Sequence, residues 1–189
     1  MNPEKKNLLL TGRPRVGKST LVQRVVGHLE RSGYRNIGGF YTAELKAGSE
    51  RVGFSITAMD GTTGRLAQVG LESPYRLGRY GIDMESFERV ALRSLEAALE
   101  RGGLVVIDEI GYMELMSRRF RDLALQALDS ASPLLGTIMH SRYAFADLVT
   151  SRPDVEVIRV RVDNRDALVG EVLKKVTALL ASGARARQG

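Results

Sequence analysis

The sequence predicts an α/β fold in which helices flank a mostly parallel sheet and an antiparallel hairpin forms an insertion or an edge. Short apolar runs alternate with longer segments of helical periodicity, as in a parallel sheet with helical crossovers. The first apolar run leads through a glycine-rich loop directly into a helix. With 189 residues, of which 43% are hydrophobic and 26% are charged, the chain is predicted to form one globular domain over residues 1–189.

The first half of the chain shows both patterns. Three leucines at 8–10 predict a short buried strand, and residues 20–29 place apolar side chains at helical spacing. Residues 36–42 are rich in β-forming side chains after two glycines and predict the second strand. Two further β-forming segments are joined across an Asp-Gly turn and predict the antiparallel hairpin, at residues 52–58 and 65–69.

The second half continues the alternation. Pro74 and three glycines predict a loop over residues 70–81. Residues 84–101 predict a helix, and residues 104–107 are a continuous apolar run, typical of a strand covered on both faces. The remaining predicted elements are a helix at 120–128, a strand at 134–139, a helix at 143–149, a strand at 155–162, a helix at 165–181 and a frayed tail at 183–189.

Residues 12–19 form a complete G-x-x-x-x-G-K-[ST] phosphate-binding loop between the first strand and the first helix. Its two glycines let backbone N–H groups turn inward around a phosphate, and the helix directs the positive end of its dipole at the same anion. Lys18 adds a charge that can reach the outer phosphates, and Ser19 offers a hydroxyl to Mg²⁺. The predicted nucleotide contacts of this segment are Gly12, Arg13, Pro14, Arg15, Val16, Gly17, Lys18, Ser19 and Thr20.

Two acids follow the buried strand at 104–107, where ligands bind in open α/β sheets. Asp108 is the expected partner of Mg²⁺, through water, and Glu109 can orient and help to deprotonate an attacking water. We therefore expect Lys18 and Glu109 to be catalytic and Ser19 and Asp108 to hold the metal. Ile110 and Gly111, the next two residues, complete a D-x-x-G pattern and are included in the predicted nucleotide site.

The base-binding end of the site has a weaker signal. A guanine-reading N-K-x-D motif is missing, because its nearest counterpart, Asn164-Arg165-Asp166-Ala167, lacks the lysine and the final aspartate. Guanine specificity is therefore not supported. Asn164 and Arg165 follow the last strand, where they can contact a base with little discrimination. Asn164 can equally cap the final helix, and both interpretations stay open.

Phosphoryl transfer usually needs positive charge on the γ-phosphate beyond the loop lysine. The sequence offers several arginines after strands or in loops and does not choose among them, namely Arg79, Arg118, Arg119 and Arg142. His140 follows a strand near the expected site, where it can act as a polar sensor together with Thr137 or Ser141.

Composition excludes several classes of site. The chain has no cysteine, which excludes disulfides, cysteine-ligated zinc and a thiol nucleophile. It has no apolar run approaching the roughly 20 residues of a membrane span, so we expect a cytoplasmic protein without a membrane partner. The net charge of +6 favours polyanions but is scattered. We expect nucleoside triphosphates as ligands, whereas no motif supports nucleic-acid binding or a particular oligomeric state.

Several segments together resemble the thermophilic-type nucleoside-triphosphatase family, which includes the human cancer-related nucleoside-triphosphatase. The resemblance implies a fold similar to the RecA core of P-loop NTPases and Mg²⁺-dependent hydrolysis of ATP, GTP, CTP and UTP to the diphosphate. Two positions depart from it: the loop has Arg13-Pro14-Arg15-Val16 where relatives tend to have a smaller residue or a glycine, and Tyr112 replaces a common lysine. Besides the phosphate loop, the segments that carry the resemblance are residues 39–45, 51–54, 78–83, 87–88, 106–115, 117, 120, 136–138 and 164–165.

The sequence thus predicts a nucleoside-triphosphate phosphohydrolase with broad base tolerance, and two alternatives remain. A nucleotide or small-molecule kinase uses the same loop and metal site, and residues 70–81 with Arg76 and Arg79 can serve as its lid. The other alternative is a nucleotide-switched module that binds RNA or a protein. In such a module slow hydrolysis would only time the release of the partner.

Overall fold

The computed structural model describes the backbone of residues 5–186 and the side chains of residues 5–183. Within these residues the strands are β1 (Asn7–Thr11), β2 (Ile37–Ala47), β3 (Glu50–Ala58), β4 (Thr63–Val69), β5 (Arg76–Leu77), β6 (Tyr80–Ile82), β7 (Leu104–Ile110), β8 (Leu134–Ile138) and β9 (Val155–Arg159). The helices are α1 (Lys18–Arg31), α2 (Met84–Phe87), α3 (Arg93–Arg101), α4 (Arg118–Asp129), α5 (Ala144–Thr150) and α6 (Arg165–Ala186).

All nine of these strands join one sheet in the order β5-β6-β4-β3-β2-β7-β8-β1-β9. The five strands from β2 to β9 in this order are parallel, and β3, β4, β6 and β5 continue the sheet antiparallel beyond β2. The predicted α/β fold is confirmed. The predicted hairpin, β3 and β4, belongs to the main sheet and extends it antiparallel beyond β2. Of the two alternatives that the sequence left open, it is therefore the antiparallel extension at this side of the sheet.

Strand β2 links the two parts of the sheet because it is unusually long. Its first half pairs parallel with β7 as far as the Tyr41–Asp108 pair, and its remainder pairs only with β3. The β2–β3 hairpin therefore extends past the carboxyl end of β7. It stands beside the end of the sheet at which the phosphate loop and the two acids lie.

Helices cover both faces of the parallel strands. Helices α1 and α6 pack on one face against Leu8, Leu10 and Val106, whereas α3 and α4 pack on the other face with Leu9 and Ile107. Alternate residues of β1 and β7 thus enter two different apolar clusters, which explains why both strands are continuously apolar. The second cluster centres on three phenylalanines whose rings meet edge to face at 5.5 to 5.9 Å, Phe40, Phe87 and Phe120.

Several elements differ from the sequence prediction. Strand β7 continues to Ile110 rather than ending at 107, and β9 ends at Arg159 rather than at 162. The predicted loop at 70–81 contains the short strands β5 and β6, because Tyr80 to Ile82 pairs with the edge of β4. A π turn over Glu88–Leu92 interrupts the predicted helix at 84–101. The last helix continues to Ala186, so the predicted tail at 183–189 begins inside it, and residues 187–189 lie outside the described residues. No helix in the described part of the chain combines the length and the apolar character that a membrane crossing requires.

Candidate active site

The phosphate loop connects β1 to α1 and depends on its glycines for two different reasons. Gly12 has a φ of 154°, and a Cβ atom there would lie 2.5 Å from the carbonyl oxygen of Val160. Gly17 has a φ of 105° and precedes the first helical residue, a left-handed conformation that side chains other than glycine rarely adopt. A substitution at Gly12 therefore displaces the loop, whereas one at Gly17 strains the start of α1.

Lys18 lies across the mouth of this loop. Its side chain is buried, and its Nζ atom donates to the carbonyl oxygen of Gly12 at 3.2 Å and lies 3.9 Å from Glu109 Oε2. The first turn of α1 has no acidic residue, so its positive dipole end is not neutralised within the helix. The loop thus presents an ammonium group and free helical N–H groups to the same small volume.

Asp108 ties the strand end to the phosphate loop. Its Oδ1 atom accepts hydrogen bonds from Ser19 Oγ, at 3.1 Å, and from Thr137 Oγ1, while its Oδ2 atom is buried without a partner among the described residues. Burial raises the pKa of Asp108 to about 6, against the effect of the two hydroxyl donors, which lower the pKa. The carboxylate is therefore held in one orientation with one oxygen unused.

This arrangement fits Mg²⁺. A buried carboxylate oxygen without a partner, beside a serine hydroxyl, has the donor chemistry of a hard cation, and Mg²⁺ is usually held by one or two carboxylates plus phosphates and water. Residues 5–183 contain no group of three or more His, Cys, Asp or Glu side chains that could hold a metal alone. The site therefore suits a metal that arrives with a phosphorylated ligand.

Glu109 and Glu114 are two further carboxyl groups next to Asp108. A Cβ atom on Gly111 would lie 2.8 Å from an oxygen of each glutamate, so both carboxylates lie against the same residue. Burial raises the pKa of Glu114 to about 8, and the charges of Glu109 and Asp108 add to this effect. A protonated Glu114 adds no further negative charge to the site at neutral pH. The peptide bond between Asp108 and Glu109 is cis.

The sequence reasoning did not identify Glu114 as a site residue. The feature of the sequence that could have indicated it is the position of this acid, five residues after Glu109 and between Met113 and Leu115, which are both buried. An acid in that position is either on the surface or beside a site, and the sequence does not state which. The structure shows that the short helical turn at Glu114–Met116 directs it toward the acids at the end of β7.

A cleft of about 570 Å³ lies between the phosphate loop and the β2–β3 hairpin. Most of the predicted site residues line it: Gly12, Pro14, Arg15, Gly17, Lys18, Ser19, Thr20 and Glu109. Hairpin residues that the sequence did not assign to the site form the facing wall, and they include Glu44, Arg51 and Phe54. His140 and Ser141 also line the cleft, so the predicted sensor position borders the site. Thr137, the other residue considered for this sensor, does not line the cleft, and its hydroxyl donates to Asp108.

The remaining predicted contacts lie elsewhere. Ile110 is fully buried in the apolar core, and Gly111 separates the two glutamates without lining the cleft. Arg13 and Val16 line a second, smaller cavity of about 290 Å³, together with Gly12 and residues 159–162.

Asn164 and Arg165 are both engaged near this second cavity. The side chain of Asn164 accepts from the backbone N–H of Arg161 at 2.8 Å and donates to the carbonyl oxygen of Arg159 at 3.0 Å. It thus closes the loop before α6, and only its backbone carbonyl accepts a helical hydrogen bond, from Leu168. Arg165 reaches the phosphate loop, with Nη1 3.4 Å from the carbonyl oxygen of Val16.

None of the four arginines considered for the γ-phosphate lines the cleft. Arg119 pairs with Glu88 and Glu96, Arg118 lies 4.0 Å from Asp122, and Arg79 pairs with Glu50. Arg142 is exposed beside the rim of the cleft. The arginines that do line it are Arg15 on the phosphate loop and Arg51 on β3.

Comparison with known proteins identifies the family. The family model described as NTPase matches residues 7–173. The chain belongs to this NTPase family. The nucleoside-triphosphatase THEP1 of Thermotoga maritima is 40% identical over 166 residues, which cover 88% of this chain and 92% of that protein.

Two solved structures of NTPase relatives share the fold. The crystal structure of THEP1 from Aquifex aeolicus superimposes with a TM-score of 0.81 at 30% identity and covers 90% of this chain and 98% of that chain. The solution structure of a human cancer-related nucleoside triphosphatase gives a TM-score of 0.78 at 36% identity and covers 91% and 97% of the two chains. The predicted family, fold class and enzyme class are therefore confirmed.

Proposed function

We propose that this NTPase hydrolyses ATP, GTP, CTP and UTP to the diphosphate and phosphate with Mg²⁺ and with broad tolerance of the base. One observation carries the proposal: the hydrogen bond from Ser19 to Asp108 brings the phosphate loop and the end of β7 into one site, with Lys18 and Glu109 3.9 Å apart beside it. The names of the relatives, which are nucleoside-triphosphatases, support the same chemistry.

Each side chain has a defined role in this proposal. The loop amides and Lys18 bind the triphosphate tail, while Ser19 and Asp108 would hold the metal. Mg²⁺, when bound, neutralises charge on the β- and γ-phosphates. Glu109 lies in the cleft beside Lys18, where it can accept a proton from the water that attacks the γ-phosphorus.

The second cavity supports broad base tolerance. Its lining shares only Gly12 with that of the catalytic cleft, and its lining side chains are aliphatic or arginine, from Arg13, Val16 and residues 159–162. Aliphatic groups and guanidinium planes can pack against the face of any base, because every base has a π-face. Both polar groups of the Asn164 side chain are already bonded to the loop backbone.

The two alternatives receive less support. Leu77 of the segment 70–81 lines the cleft, but neither Arg76 nor Arg79 does, so the arginines expected of a kinase lid lie outside the site. No feature of the described residues favours an RNA-binding or protein-binding switch. The cytoplasmic location and the single-domain organisation remain predictions of the sequence.

Turnover of the four triphosphates, measured as phosphate release with and without Mg²⁺, tests the proposal. We expect comparable rates for all four and none without the metal. Lys18→Ala should abolish turnover and weaken nucleotide binding, whereas Glu109→Gln should bind nucleotide normally and hydrolyse it at least about 100-fold more slowly. Phosphate release by Glu109→Gln at the parental rate would remove Glu109 from this role. Transfer of the phosphate to an added nucleoside would favour the kinase.

A further inference from the structure

The cleft contains an arginine that the proposed function has not used. Arg51 lies on β3, in the hairpin wall that faces the phosphate loop, and its side chain is 33% exposed. The site needs such a group, because charge develops on the γ-phosphoryl oxygens in the transition state and Lys18 is the only catalytic cation assigned so far.

The guanidinium of Arg51 is held in place on several sides. Its Nε atom donates to Tyr80 Oη at 2.9 Å, and its Nη1 atom donates to Glu44 Oε1 at 2.8 Å. The rings of Phe54 and Tyr80 lie 5.0 and 5.5 Å from its Cζ atom, within the range of cation–π contacts. Its Nη2 atom bonds to none of the side chains or backbone groups of residues 5–183, so the N–H groups of Nη2 remain available for a phosphate oxygen.

Glu44 places this guanidinium close to the phosphate loop. The same Oε1 atom that accepts from Arg51 also accepts from Nε of Arg15, a phosphate-loop residue, at 3.4 Å. The guanidinium of Arg51 is therefore within two hydrogen-bond lengths of a loop side chain. Glu44 thus offers one negative charge to two arginines, and Lys46 Nζ lies 3.9 Å from its other oxygen, Oε2. This part of the cleft is therefore net positive.

Arg15 is less suited to the same role. Its side chain is 68% exposed, and among the described residues it forms one side-chain hydrogen bond, the long contact with Glu44. Holding an exposed arginine against a phosphate costs side-chain entropy, whereas Arg51 is already ordered before the ligand arrives.

We propose that Arg51 is a further catalytic residue, which contacts the γ-phosphate and stabilises the charge of the transition state, and that Glu44 and Tyr80 position it. This inference rests on the proposed hydrolysis. In that reaction the water oxygen bonds to the γ-phosphorus, the bond from that phosphorus to the bridging oxygen breaks, and the electron pair leaves with the diphosphate. The water proton passes to Glu109, and no covalent bond to Arg51 forms or breaks.

Arg79 provides a matched control for Arg51. It lies in the same antiparallel extension, its Cζ atom is 5.5 Å from the same Tyr80 ring, and it donates to the backbone carbonyl of Arg51 and to Glu50. It does not line the cleft. Removing Arg79 thus disturbs the same packing without removing a cation from the site.

The test compares Arg51→Ala, Arg51→Lys and Arg79→Ala with the parental enzyme. We expect Arg51→Ala to lower kcat at least about 100-fold, while the affinity for a nonhydrolysable triphosphate analogue changes by no more than about threefold. Arg51→Lys should recover only part of the rate, because an ammonium cannot bond Tyr80, Glu44 and a phosphate in the same fork geometry. Arg79→Ala should keep kcat within about threefold of the parental value.

Trapping of ADP with aluminium fluoride, which mimics the transferred phosphoryl group, separates a catalytic role from a structural one. The parental enzyme and Arg79→Ala should retain this complex, and both Arg51 variants should retain less of it. A loss of kcat below about tenfold in Arg51→Ala, or equal retention of the complex by Arg51→Lys and the parental enzyme, overturns this inference alone. If the parental enzyme releases no phosphate from any triphosphate, the proposed function is overturned as well.

Discussion

The burial of Glu114 predicts how the stability of the protein depends on pH. This buried carboxyl group lies against Gly111 opposite Glu109, and burial raises its pKa to about 8 from an ordinary value of 4.5. We consider Glu114→Gln, which keeps the shape of the protonated side chain and removes its titration. Because the folded protein holds the proton to a higher pH than the unfolded chain, Glu114 costs stability as the pH rises from about 4.5 to 8.

The magnitude follows from the two pKa values. Below the ordinary pKa both states are protonated and the group costs nothing. Above it the unfolded chain releases the proton, and each unit of difference corresponds to about 1.4 kcal/mol. Between pH 5 and pH 8 the free energy of unfolding of the parental protein should therefore fall by about 3 to 4 kcal/mol relative to that of Glu114→Gln.

Urea unfolding of the nucleotide-free proteins at several pH values between 5 and 8 measures this difference. Glu72→Gln is a suitable control, because Glu72 is exposed and its replacement should change stability little. Parallel pH profiles for the parental protein and Glu114→Gln would refute the reasoning. They would mean that Glu114 reaches water or a cationic partner in solution.

Three further substitutions test the phosphate loop, the last helix and the orientation of Asp108. Gly12→Ala should lower nucleotide affinity at least about tenfold in a fluorescent-nucleotide titration, because its Cβ would lie 2.5 Å from the Val160 carbonyl oxygen; unchanged affinity would contradict the close approach. Gly170→Ala, inside α6 with nothing within 4 Å of the new methyl group, should instead stabilise the protein by about 1 kcal/mol in thermal unfolding. Thr137→Val removes one of the donors that orient Asp108 and should raise the Mg²⁺ concentration for half-maximal activity about tenfold. An unchanged Mg²⁺ titration would show that Ser19 orients the carboxylate alone.

The sequence predicted the parts of the site that depend on local patterns. The spacing of Gly12, Gly17, Lys18 and Ser19 is a motif whose backbone shape the chain determines over eight residues, and the structure has that shape. Asp108 was expected at the end of an apolar strand, and the strand pairing places it there beside Ser19. Local order and sheet topology are enough for these inferences.

The missing parts depend on contacts between distant segments. Glu44 and Arg51 belong to a hairpin whose role follows only from the length of β2, which carries the hairpin past the end of β7 toward the phosphate loop. Alternation was loose in these strands, so the sequence did not indicate which side chains face the cleft. Of the four arginines that were considered, Arg118 and Arg119 lie on α4, and three pair with acids outside the cleft. These pairs are Arg79 with Glu50, Arg118 with Asp122 and Arg119 with Glu88.

Helix and strand boundaries were less predictable than their existence. Strands β5 and β6 are short and form because the edge of β4 offers hydrogen-bond partners, a tertiary effect that the glycines and Pro74 of this segment did not reveal. The π turn at Glu88–Leu92 preserves the apolar side of the helical segment, so periodicity alone did not distinguish it from a regular helix.

The central claim is that one end of this cleft binds a triphosphate tail and its cation and directs a water molecule at the γ-phosphorus. A crystal structure with Mg²⁺ and a nonhydrolysable triphosphate analogue tests it most directly. We predict the β- and γ-phosphates inside the loop at 12–19, in contact with Lys18, the metal on Ser19 and within one water of Asp108, and a water between Glu109 and the γ-phosphorus. A tail bound outside this loop, or a metal remote from Asp108, would contradict the account.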